Sequence, residues 1–130
     1  MWLFGLITLI EMRFLTLIEL HLDGDSWQKY ISNSRLEKAA SLQAERRRRN
    51  QDPTLLDCLQ FSDKGQIVIR DEYLRKQLGF ASRKRGSEAI KNLEKLRNNL
   101  AHTQDIVAND WPQIARMTQR IESLLGIGDD

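Results

Sequence analysis

Apolar residues recur along this chain at helical spacing, and no segment sustains the period-two alternation of a half-buried strand. The longest apolar block comes first. Trp2, Leu3, Phe4, Leu6, Ile7, Leu9 and Ile10, then Phe14, Leu15, Leu17, Ile18 and Leu20, predict a helix over residues 1–22 buried nearly all round, with Thr8, Glu11 and Glu19 on its wetter side. Gly24 stops it. Ser32-Asn33-Ser34 offers an N-cap for a second helix, Arg35 to Arg49, with Leu36, Ala39, Ala40 and Gln43 facing inward. Asp52 as N-cap and Pro53 in the first turn start a third helix through Leu55, Leu56, Leu59 and Phe61, stopping near Asp63-Lys64-Gly65. Gln66-Ile67-Val68-Ile69 is β-branched but lacks a neighbouring strand, so it leads instead into a short helix through Tyr73, Leu74 and Leu78, ending at Gly79. Ser82 caps a long helix over 82–104, and Asn109 or Asp110, with Pro112 behind it, starts a last one over 110–125. Trp111, Ile114, Met117, Ile121 and Leu124 are its inward residues. Residues 1–130 thus read as one all-α domain, an up-down bundle of about five helices.

Within the 82–104 helix, Ala89, Leu93, Leu96 and Leu100 recur at alternating spacings of four and three, with Ile90 widening the stripe. Arg97 and His102 are separated by a rotation of about 140° and share one half of the helix. Asn98 lies one turn before His102. An Arg, Asn and His cluster therefore borders the hydrophobic seam near the C-terminal end of the helix, and it is the candidate catalytic set. Histidine can act as acid or base near neutral pH, and arginine holds phosphate oxygens by two parallel hydrogen bonds. A solvated arginine and a histidine favoured by the helix dipole account for the same residues without chemistry.

Arg97-Asn98-Asn99-Leu100-Ala101-His102 resembles the Arg-to-His motif of HEPN domains, small all-helical modules many of which are ribonucleases. The likeness extends more loosely over most of the chain. It is greatest to HEPN-like domains that follow regulatory domains, such as CBS pairs, in prokaryotic proteins. The resemblance implies a homodimer through the apolar first helix and the motif helix. It also implies metal-independent RNA cleavage, with no cofactor, at an interfacial site where Arg97, Asn98 and His102 of each protomer meet. The products would be 2′,3′-cyclic phosphate and 5′-hydroxyl ends. It equally admits a non-catalytic module for dimerisation, ligand sensing or RNA binding, partnered by an upstream regulatory domain or an antitoxin.

Charge and composition narrow this further. With 20 Lys and Arg against 18 Asp and Glu, any nucleic-acid surface has to be a local patch. Two local clusters are candidates for RNA contact: Arg46, Arg47, Arg48 and Arg49, and Arg83, Lys84 and Arg85. The first also suits a helix C-terminus on dipole grounds; the second opposes the dipole at a helix N-terminus, a misfit that bound phosphate would relieve. The first helix carries Glu11, Arg13 and Glu19. Central charges cost about 2.5–3.5 kcal/mol each while each apolar side chain returns about 0.3–0.6, which weighs against a membrane span. Its apolar surface is instead an expected dimer or docking face. The lone Cys58 forms no intrachain disulfide, points to a reducing, cytoplasmic setting, and sits in an apolar run that suits a core residue. No His, Cys, Asp and Glu set has metal-ligand spacing.

Overall fold

A computed structural model of the chain describes residues 2–98, with residues 112, 115, 116 and 118–120; the side chains of residues 2–4, 6, 96 and 98 fall outside that description. The helices are α1 (Trp2–His21), α2 (Asn33–Arg48), α3 (Phe61–Arg70), α4 (Glu72–Gln77) and α5 (Arg83–Asn98), with 3-10 turns at Ser26–Tyr30 and Leu56–Cys58. No strand occurs among the described residues, in keeping with an all-α bundle.

The bundle is built around α3. This ten-residue helix buries Phe61, Asp63, Lys64, Gly65, Ile67, Val68 and Ile69, so it is enclosed on almost every side, and it packs against α5, α1 and α4. The sequence predicts a stop at Asp63-Lys64-Gly65 and a separate helix after it. The stop fails, because these residues form the opening turns of α3 and Gln66 to Ile69 continue it, whereas the short helix through Tyr73 and Leu74 that ends before Gly79 is present as α4. Asp63 accepts the Gln60 backbone N–H at 3.1 Å and complements the positive helix end, so it starts the helix rather than ending the previous one. Gly65 is a point of close approach. A Cβ there would lie 2.8 Å from the side chain of Ile90 on α5, and a Cβ on Gly86 of α5 would lie 2.6 Å from Ile69 on α3. Each helix thus supplies a glycine that admits an isoleucine of the other.

Residues 52–61 differ from the expected third helix for a related reason. Leu56, Cys58, Leu59 and Phe61 are all buried, and that spacing fits no single helix face. The chain makes a 3-10 turn instead, closed by Thr54 N–H to Asp57 Oδ2 at 2.9 Å and Asp57 N–H to Thr54 Oγ1 at 3.1 Å. Asp52 does not cap it, and Gln43 of α2 donates to the Pro53 carbonyl at 3.0 Å. Cys58 is a free, buried core residue.

α1 is not buried all round. Ile7, Ile10, Phe14, Leu17 and Ile18 face the core, while Thr8, Met12, Thr16, Glu19 and Leu20 are exposed. Glu11 is turned inward rather than to the wet side, and Ala40 of α2 is exposed where Ala39 is buried. α2 is capped by Ser32, whose hydroxyl accepts the Arg35 N–H. No helix among the described residues is long and apolar enough to cross a membrane. α5 starts as predicted, with Ser82 Oγ accepting the Arg85 N–H at 3.2 Å, and buries Ala89, Ile90 and Leu93. Its predicted continuation over 99–104 lies outside the described residues. Of the expected last helix, Pro112, Ala115, Arg116, Thr118, Gln119 and Arg120 are helical, and its five inward residues lie outside the description.

Candidate functional site

The end of α5 that carries Arg97 meets the middle of α1 and the first turn of α3. An apolar floor comes first: Phe14 and Phe61 pack at 5.8 Å between ring centres, tilted by 33°. The Arg97 guanidinium lies over the Phe61 face, its Cζ 5.8 Å from the ring centre, within the range of a cation–π contact. Glu11 reaches the same place from α1. Its Oε2 accepts from Lys64 Nζ at 3.0 Å, and its Oε1 stands 3.9 Å from an Arg97 terminal nitrogen. The second distance is an ion pair but too long for a hydrogen bond. Lys64 is 7% exposed and Arg97 32% exposed, so the lysine is a fixed internal charge and the arginine is a mounted, solvent-facing one. Two cations against one carboxylate leave this cluster of three side chains net positive.

Of the predicted catalytic set, Arg97 is thus placed. Asn98 is the last residue of α5, with its side chain outside the description, and His102 lies outside the described residues. Glu11 and Lys64 were not among the sequence candidates. The available signal was an acid inside an otherwise apolar helix, since a buried carboxylate needs a partner.

The two basic clusters separate. In the α2 cluster, Arg49 donates to Glu45 at 2.9 Å and Arg47 stands 3.8 Å from Asp52, both in exposed positions. Arg46 to Arg48 form the last turn of a helix that packs chiefly on the Leu56–Cys58 turn. The cluster at the start of α5 divides between two clefts. Arg85, Arg116 and Arg120 line one of about 450 Å³ beside Gly79 and Phe80. Arg83 and Lys84 line another of about 630 Å³, with Lys29, Tyr30, Gln66, Arg70 and Ser87. These clefts stand about 20 Å from Arg97 along α5, from the helical rise.

No family model, curated protein or solved structure matches this chain.

A further charged pair, Arg35 with Asp63, is architectural. Arg35 grips both carboxylate oxygens at 2.9 Å and Gln60 Oε1 at 2.8 Å, and the hydrogen bond to Asp63 raises the guanidinium pKa above its ordinary value. It ties α2 to the start of α3. Among the described residues no group of three His, Cys, Asp or Glu side chains could hold a metal ion.

Proposed function

We propose that this domain acts on RNA as a HEPN-type, metal-independent endoribonuclease, working as a homodimer in which the motif ends of two α5 helices form one site. Arg97 holds the scissile phosphate and stabilises the charge that builds in the transition state. His102 moves the protons, one protomer's histidine acting as base toward the 2′-hydroxyl and the other's as acid toward the 5′-oxygen. Asn98 supplies a neutral donor beside them. The products are a 2′,3′-cyclic phosphate and a 5′-hydroxyl.

The observation that supports this reading is the mounting of Arg97. Its guanidinium is braced on Phe61 and drawn by Glu11, yet the 3.9 Å separation leaves its hydrogen-bonding edge uncommitted to that carboxylate. The buried Lys64 takes up the other Glu11 oxygen and so reduces the carboxylate's hold on Arg97. A phosphate arriving at Arg97 would therefore meet a preoriented fork. On this reading Arg85, Arg116 and Arg120, at the far end of α5, contact the flanking RNA backbone.

The same ion pair favours a second reading, a non-catalytic RNA-binding or ligand-sensing module of a regulatory protein, in which Glu11 simply neutralises Arg97. Incubating the purified protein with mixed RNA in EDTA separates the two. Cleavage to cyclic phosphate ends that His102→Ala abolishes, with RNA affinity retained, supports the enzyme. Intact RNA under those conditions, with light scattering showing a dimer, supports the module.

A further inference from the structure

The cleft between the Ser26–Tyr30 turn, α3 and the start of α5 has walls of one sign. Lys29 comes from the turn, Arg70 from the end of α3, and Arg83 and Lys84 from the first turn of α5. Among the described residues no acidic side chain lines it. Of the carboxylates beside it, Asp71 accepts from the Tyr30 hydroxyl at 2.9 Å and from the Leu74 N–H at 3.0 Å, and Glu72, exposed and paired with Lys76 at 2.9 Å, is close enough to Arg83 for their charges to interact. Burial, and then the hydrogen bond to Asp71, raise the Tyr30 pKa, so the hydroxyl is neutral and adds no negative charge to the wall.

The neutral polar groups lean the same way. Ser87 donates to Gln66 Oε1 at 3.3 Å, which leaves the Gln66 amide N–H pair, and one lone pair of that oxygen, for other partners. Three of the cations are fixed rather than loose. Arg70 donates to the Tyr30 carbonyl at 2.8 Å, Arg83 to the Arg70 carbonyl at 3.5 Å, and Lys29 Nζ sits 5.2 Å from the Tyr30 ring centre. Three cations are thus held, with the exposed Lys84 beside them, around one space of about 630 Å³, within the range of small-ligand sites.

This arrangement costs the empty protein stability. The first turn of α5 carries no acid, and its cations stand at the positive end of the helix dipole. The Ser82 cap takes the Arg85 N–H through its hydroxyl and the Gly86 N–H through its carbonyl, so the N–H groups of the two preceding residues keep their positive ends. A bound anion would relieve mutual repulsion and dipole repulsion together.

The geometry points to a binding site here for a compact phosphorylated ligand of two or more negative charges, held by Lys29, Arg70, Arg83 and Lys84. This site does not depend on the cleavage proposed at Arg97. Its phosphate has two sources, a free phosphorylated small molecule or the phosphates of an RNA strand.

Thermal unfolding and calorimetric titration with inorganic pyrophosphate, in phosphate-free buffer, test the assignment. Pyrophosphate should bind saturably and raise the midpoint, where sodium sulfate at matched ionic strength does much less. Lys84→Gln should weaken binding by roughly tenfold or more. Without ligand, the same variant should unfold about 1–3 °C higher at low salt, because a charge misplaced on the dipole is gone. A merely structural lysine would do the reverse. Lys29→Gln, in an exposed turn and remote in sequence from α5, provides an independent second variant with the same loss of binding. Arg97→Lys should bind pyrophosphate as the parent does, which keeps this test separate from the cleavage reading. Displacement of pyrophosphate by a six-nucleotide RNA, but not by adenosine monophosphate, identifies the source as an RNA strand; the opposite pattern identifies a small ligand. Absence of saturable binding, or parent-like binding by both lysine variants, overturns the proposal.

Discussion

Removing Glu11 and removing Lys64 should have very different costs, although they are partners in one ion pair. At the observed 3.0 Å, and at an effective dielectric constant of about 20, their attraction is roughly 5.5 kcal/mol before desolvation is subtracted. Glu11→Leu strands an ammonium that is 7% exposed in the core. Breaking a fully buried pair this way costs about 3–5 kcal/mol. Because the glutamate side is 27% exposed and water can reach it, about 2–3 kcal/mol is the better expectation here. Lys64→Met keeps most of the side-chain volume and leaves Glu11 beside Arg97 and solvent, at a cost of about 1 kcal/mol or less. The double variant should return close to the Lys64→Met value, a coupling of about 2 kcal/mol. Urea unfolding followed by circular dichroism would read Glu11→Leu as a fall in midpoint of about 1–2 M. If the two single substitutions cost the same and their effects add in the double variant, the pair does not hold α1 to α3 as argued.

Other outcomes follow from particular contacts. Gly65→Ala should destabilise the fold by about 1–3 kcal/mol despite the better helix former, since its Cβ would meet Ile90 at 2.8 Å, and Ile90→Val should recover part of the loss in chemical denaturation. The Tyr30 pKa is raised above its ordinary value of 10.0, chiefly by burial and then by Asp71, so its contribution is present below pH 10 and is lost as pH rises through the folded-state value; Tyr30→Phe should flatten that part of the alkaline stability profile. Arg97→Lys should lower single-turnover RNA cleavage by roughly 10² or more, with little change in affinity, because it keeps the charge and loses the fork. Cleavage by Arg97→Lys at the parent rate would remove Arg97 from the chemistry.

What the sequence by itself determined is local. Helical periodicity without a two-residue alternation is enough for an all-α chain, and caps at Ser32 and Ser82 locate the starts of α2 and α5, because an N-cap depends only on residues within one turn of it. Cys58 was legible as a core residue from its apolar neighbours, and Arg97 was legible as a candidate from its place on an amphipathic helix. The tertiary structure decided the rest. A hydrophobic stripe says that a face is buried but not against what, so the role of α3 as the central helix could not be read from its ten residues. Gly65 looks like a helix stop until Ile90 is seen to occupy the space that a Cβ would fill. Glu11, read along the chain, is a charge on the wet side of a long helix. It becomes the link between Lys64 and Arg97 only when folding brings together side chains 53 and 86 positions apart. The cleft of Lys29, Arg70, Arg83 and Lys84 is likewise assembled from three elements. Sequence patterns report periodicity along one element, whereas an electrostatic site depends on distances of a few ångström between elements, and only packing sets those distances.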